Sequence, residues 1–96
     1  MPTHDAIAAQ IIKGQEFVIG PLAWSVAGKV QGLVIDVRKG DVTISGRDPK
    51  VVVDDLVAQY ERLFGPASHA VCRDAVTTLI KGMAQTEIPS SLRVSP

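Results

Sequence analysis

Residues Asp48 to Pro66 read DPKVVVDDLVAQYERLFGP, and both ends of a helix are written into them. Asp48 can accept from the free amides of a first turn, the usual role of an N-cap carboxylate. Pro49 follows at the first helical position, where a missing N–H costs nothing. Gly65 is suited to the backbone reversal that closes a helix, and Pro66 forbids continuation. Between them Val53, Leu56, Val57, Tyr60, Leu63 and Phe64 recur at three- and four-residue steps and share one face, with Val51 and Val52 widening it. Asp54, Asp55, Gln59, Glu61 and Arg62 take the other side. The helix is built to lie on a core, which speaks to fold rather than to chemistry.

Immediately upstream, Leu33 to Ser45 reads as a β-hairpin. Leu33, Ile35 and Val37 alternate with Val34, Asp36 and Arg38, and Val42 and Ile44 alternate with Thr43 and Ser45. That is the period of a half-buried sheet. Arg38-Lys39-Gly40-Asp41 supplies the turn, with a glycine for a positive-φ position. A lone hairpin is marginal in water, so a third strand is expected, and Glu16-Phe17-Val18-Ile19 is the nearby segment rich in strand formers. Downstream, Pro66 to about Lys81 predicts a further helix with Val71, Cys72, Ala75, Val76, Leu79, Ile80 and Met83 on its apolar face. Beyond Gly82 the pattern fades, and residues 89–96, with two prolines, are expected as a disordered tail on a single domain spanning 1–88.

Two shorter helices complete the first half. Thr3 can cap one from His4 to Lys13, with Ile7, Ala8, Ile11 and Ile12 as its stripe and Gly14 as its stop. Pro21 can open another that runs to about Gln31, burying Leu22, Ala23, Val26, Ala27 and Val30. The expectation is an α+β fold in the order α-β-α-β-β-α-α: four helices on a small, mostly antiparallel sheet.

Composition narrows the function classes. The chain of 96 residues has room for one modest core. Its hydrophobic fraction is 46% and its aromatic fraction 4%, so that core is aliphatic. Ten basic and ten acidic residues cancel, which speaks against nucleic-acid binding through a general basic excess and against a polybasic membrane anchor. One cysteine cannot form an intrachain disulfide, so a reducing, cytoplasmic setting is expected. Pro2, His4, Asp5 and Gln10 interrupt any apolar run near the start, so no signal peptide is read.

Few residues carry a chemical signature. His69 and Cys72 stand three apart on a helix, a spacing that seats two zinc ligands or pairs a thiol with a base. A second ligand pair and an orienting carboxylate are missing from the pattern, and Cys72 falls on the apolar stripe, so a core thiol and a rim histidine are the plainer reading. Asp54 and Asp55 are adjacent, diverge by about 100° around the helix and do not face one site. No glycine spacing for a phosphate loop is present, and no cofactor is expected. Trp24 lies off the predicted inner stripe of its helix, beside Gly28, which makes it a candidate contact residue. Thr43 and Ser45 lie on a strand that is available as a mild, polar sheet edge.

Two partial resemblances are visible. Helix, short strand, helix and hairpin resemble a winged helix–turn–helix, with Arg38 and Lys39 on the wing, although one helix of that pattern is missing and the recognition helix would offer DNA only Lys29 and Gln31. VIDVRKGDVTISG, Val34 to Gly46, is similar to the strand–turn–strand signature of small BON domains; here a helix rather than a final strand follows the next helix. Neither assigns a family. The expected function is a non-enzymatic interaction or regulatory module that self-associates as a homodimer through Trp24 and the Thr43–Ser45 edge. The alternatives are a winged-helix DNA-binding regulator, and a small-ligand binder or enzyme with a pocket near His69.

Overall fold

The computed structural model describes residues 3–93 of the chain. It is α+β: helices α1 (His4–Ile19) and α2 (Leu22–Ala27), strands β1 (Leu33–Asp36) and β2 (Asp41–Ile44), helices α3 (Pro49–Phe64) and α4 (Ala67–Ile80), and short 3-10 turns at Gln85–Glu87 and Ser90–Leu92. Helix α1 packs on α2, α3, α4 and β2, so the other elements are arranged around it.

The long helix α3 has the expected ends. The Asp48 carboxylate accepts from the Lys50 amide at 2.9 Å, Pro49 begins the helix, and Gly65, at φ +91°, turns the chain into α4. Its buried residues are Val52, Val53, Leu56, Val57 and Tyr60. The core stripe therefore includes Val52 and stops at Tyr60, leaving Leu63 and Phe64 exposed. The Tyr60 hydroxyl donates to the Ala23 carbonyl at 2.6 Å and ties α3 to α2.

Residues Glu16 to Ile19 are not a strand. Helix α1 runs through Gly14 without a break, and the described sheet is the two-stranded hairpin alone, with Leu33 opposite Ile44 and Asp36 opposite Asp41. The reason lies in packing. Gly14 faces α4 so closely that a Cβ placed on it would fall 2.8 Å from Ala75 Cβ. The glycine read as a helix stop is the contact that lets two helices approach, and the next residue, Gln15, is buried against α4. The hairpin obtains its support from α1 instead of a third strand: the Asp5 carboxylate accepts from the Ile44 amide at 3.0 Å, and Val42 is buried. Helix α2 is also shorter than expected. It ends at Ala27, Val30 is buried from the following turn, and Leu22 points outward. The strand on which the winged-helix resemblance rests is thus helical.

The segment expected as a disordered tail packs on the domain as far as Arg93. Ile88, Pro89 and Leu92 are buried. Asp54 receives the Ser91 amide at 3.0 Å, the Ser91 hydroxyl at 2.5 Å and the Ser90 hydroxyl at 2.8 Å. Lys50 Nζ donates to the Thr86 carbonyl at 2.8 Å, and His4 Nε2 meets the Glu87 carbonyl at 2.7 Å. The segment lacks periodicity because it is neither helix nor strand, yet its few apolar residues fit against α3 and α4. Residues 94–96 lie outside the described residues.

Two outcomes follow from this packing. Gly14→Ala should lower stability even though alanine is favoured over glycine in a helix by about 1 kcal/mol, because the added methyl meets Ala75; Ala75→Gly in the same chain should restore most of the loss. Urea unfolding of the single and double variants measures both, and a net gain for Gly14→Ala would show that the helices part freely. Leu92→Ala should cost about 2–5 kcal/mol, the range for truncating a buried leucine. An unchanged urea midpoint would place the segment off the domain.

Candidate functional site

The residues singled out for chemistry do not converge. Cys72 is buried on α4, where it accepts from Gln15 Nε2 at 3.2 Å; the same amide donates to the Ser68 carbonyl at 2.9 Å. Burial pushes the Cys72 thiol up to about 11 from its ordinary 9.0, the Gln15 bond pulls it down in part, and Glu61 adds to the rise. A thiol held in its neutral form is a poor nucleophile and a poor metal ligand. Gln15 Oε1 is buried without a hydrogen-bond partner among the described residues.

His69 turns to other groups. Its Nδ1 lies 2.9 Å from Glu61 Oε2, and its Nε2 meets the Ser91 carbonyl. A ring protonated on both nitrogens donates to both acceptors, whereas a neutral ring donates to one. The imidazole is therefore committed to holding the C-terminal segment between α3 and α4. Asp54 binds Ser90 and Ser91, while the neighbouring Asp55 pairs with Arg47 at 2.9 Å. The two adjacent carboxylates serve different segments, as their divergence around the helix requires. Among the described residues no group of three or more His, Cys, Asp or Glu side chains could hold a metal ion. No described helix is long and apolar enough to cross a membrane.

The interface candidates fall in two places. The Thr43 and Ser45 side chains are exposed on β2 and just beyond it. Between them, however, the Ile44 amide is bonded to Asp5, and the Ser45 amide donates to Gly32 at 2.9 Å. A second chain adding to this edge would have to displace Asp5. Trp24 is half-buried. Its body packs on the core and its indole N–H donates to Glu16 Oε2 at 2.9 Å. The tryptophan forms one wall of an open cleft of about 540 Å3 that Glu16, Pro21, Ser25 and Val37 complete. Beside that cleft, the last turn of α1 and the first residue of α2 carry exposed apolar groups: Phe17 is 95% exposed, Val18 64% and Leu22 51%.

Sequence reasoning passed over Phe17 because Glu16 to Ile19 was read as a strand. The available signal was helical: continuing the α1 register places Lys13 and Phe17 together on the face opposite Ile11, Ile12 and Gln15. A phenylalanine on a polar face is the informative exception, since exposed single apolar residues of smaller size are ordinary.

Native Cys72 should label slowly with a thiol reagent and rapidly once urea is added. Its neutral form is favoured in the folded state, so its contribution to stability is full below pH 9 and is lost as pH rises from about 9 toward 11. Cys72→Ala should flatten that alkaline loss in urea titrations at a series of pH values; fast native labelling would show an accessible thiolate.

No protein-family model, no curated protein and no solved structure matches this chain.

Proposed function

We propose that the protein is a non-enzymatic interaction module that self-associates as a homodimer through the α1–α2 corner. The observation that supports this most directly is Phe17, which stands 95% exposed at the end of α1. A side chain of that size left in water forgoes roughly 1.5–3 kcal/mol of burial. Aromatic residues at the centre of an interface regain it most effectively.

The proposed partner is a second copy because exposed apolar residues and a cleft both occur where α1 meets α2. Phe17, Val18 and Leu22 protrude, and the adjoining cleft is lined by Pro21, Trp24 and Val37. A two-fold interface requires a surface complementary to itself. Phe17 of one copy entering the Trp24 cleft of the other meets that requirement in both directions at once. The balance of ten basic and ten acidic residues removes long-range repulsion between copies. Trp24 thus acts as a wall of the receiving cleft, held in place by Glu16, and association proceeds through helices rather than through the strand edge that Asp5 occupies.

Sedimentation equilibrium over a range of loading concentrations tests the proposal. The native chain should show a concentration-dependent rise from the monomer mass of 10.2 kDa. Phe17→Asp should hold it at the monomer mass and fold with a urea midpoint like that of the native chain at the lowest loading concentration, because Phe17, exposed in the monomer, contributes little to its core. A native chain that stays monomeric throughout, or a Phe17→Asp variant that associates as before, would defeat the proposal.

A further inference from the structure

Three of the chain's ten basic residues line one cleft. It lies between the α2–β1 connection and α3, has a volume of about 360 Å3, and is bordered by Lys29, Gln31, Arg47, Asp55, Gln59 and Arg62. Three cations face a single carboxylate. In a chain whose charges cancel overall, this local surplus arises from placement rather than from composition.

We propose that this cleft is a binding site for a small phosphate-bearing molecule. Arg47 is already positioned for it. One guanidinium nitrogen, Nη1, donates to the Gln31 carbonyl at 3.0 Å and pairs with Asp55 at 2.9 Å. Its stem is held against Gly32, where a Cβ would stand 3.3 Å from Arg47 Cδ. Nε and Nη2 have no protein partner among the described residues. A guanidinium fixed at one corner with free N–H groups matches two oxygens of a phosphate in its fork geometry. Arg62 donates to the neutral Gln59 amide at 2.8 Å and has no carboxylate partner among the described residues. Lys29 has neither a hydrogen bond nor an ion pair from its side chain among the described residues.

Helix α3 contributes a continuous strip to the wall, since Asp55, Gln59 and Arg62 are spaced at four and three residues. The cleft falls in the size range of small-molecule sites, about 300–1,000 Å3. The Gln31 and Gln59 amides are suited to the hydroxyls of a small polar body attached to the phosphate. Phosphate supplies two charges to a site with a surplus of two cations, and concave placement concentrates that field. The site is independent of the dimer contact: it uses none of Phe17, Val18, Leu22 or Trp24.

The test is a titration of the 15N-labelled full chain with inorganic phosphate and, separately, with ribose 5-phosphate, at constant ionic strength. Saturable amide shifts confined to the Lys29–Gln31 turn, Arg47 and the 58–62 stretch are expected, with tighter binding of the sugar phosphate. Lys29→Gln and Arg62→Gln, both at the surface, should each weaken binding by about tenfold, the usual loss for one charge-assisted bond, without moving the urea midpoint. Shifts that spread over the surface and rise linearly with concentration would overturn the proposal, as would undiminished binding by the chain carrying both Lys29→Gln and Arg62→Gln. A single-stranded oligonucleotide that displaces the sugar phosphate, with affinity growing with its length, would overturn it in favour of a nucleic-acid groove.

Discussion

At Gly14 the backbone of α1 lies against α4 with no room for a methyl group, a Cβ there falling 2.8 Å from Ala75. Most of the remaining architecture depends on that approach. It brings Gln15 under α4, where its amide reaches Ser68 and Cys72. On the same broad face of α1, Ile7, Ala8, Ile11 and Ile12 join the core that α2 and α3 complete. With so few aromatic residues, the core gains its burial from close-packed aliphatic groups, and close helix approach is what makes such packing dense. Tyr60 is the one large ring fully inside, and its hydroxyl is satisfied by Ala23.

A two-stranded hairpin has little stability of its own. Here the first turn of α1 supports it, through the bond between Asp5 and the Ile44 amide and through burial of Val42. The same economy holds at the other end of the chain. Asp54 and His69, both on helices, grip Ser90 and Ser91 so that Ile88, Pro89 and Leu92 can close over α3 and α4. Individual surface hydrogen bonds contribute only about 1 kcal/mol each. Their greater effect is to set the register in which the apolar residues are buried, and that burial carries the stabilisation.

The titratable groups fit this structural account. Cys72 and Tyr60 are buried and shifted toward their neutral forms. His69, Glu61 and Asp54 are engaged in fastening the C-terminal segment. Among the surfaces left open are an apolar corner with an aromatic-walled cleft, and a separate cleft lined by three cations and one carboxylate. The proposed self-association and the proposed recognition of a small anion use different residues of these surfaces.

The start of α1, both ends of α3 and the course of α4 are legible in the amino-acid sequence. Asp48, Thr3 and Gly65 act on backbone groups a few residues away, and the stripes of α3 and α4 repeat within one turn, so these features are local and legible. The hairpin was legible for the same reason: its alternation and its Gly40 turn, at φ +69°, are short-range. Glu16 to Ile19 was not, because three apolar residues after a glutamate satisfy strand and helix alike. The choice was made by α4 receiving Gly14 and Gln15, and by Glu16 bonding Trp24. The C-terminal segment was illegible because Leu92 has no periodic neighbours; its place is a surface formed by two helices distant in sequence. Lys29, Arg47 and Arg62 come from three segments with no common motif. Only the tertiary structure brings them to one cleft, since their proximity depends on how α3 crosses the turn after α2, a relation that local backbone preference does not encode.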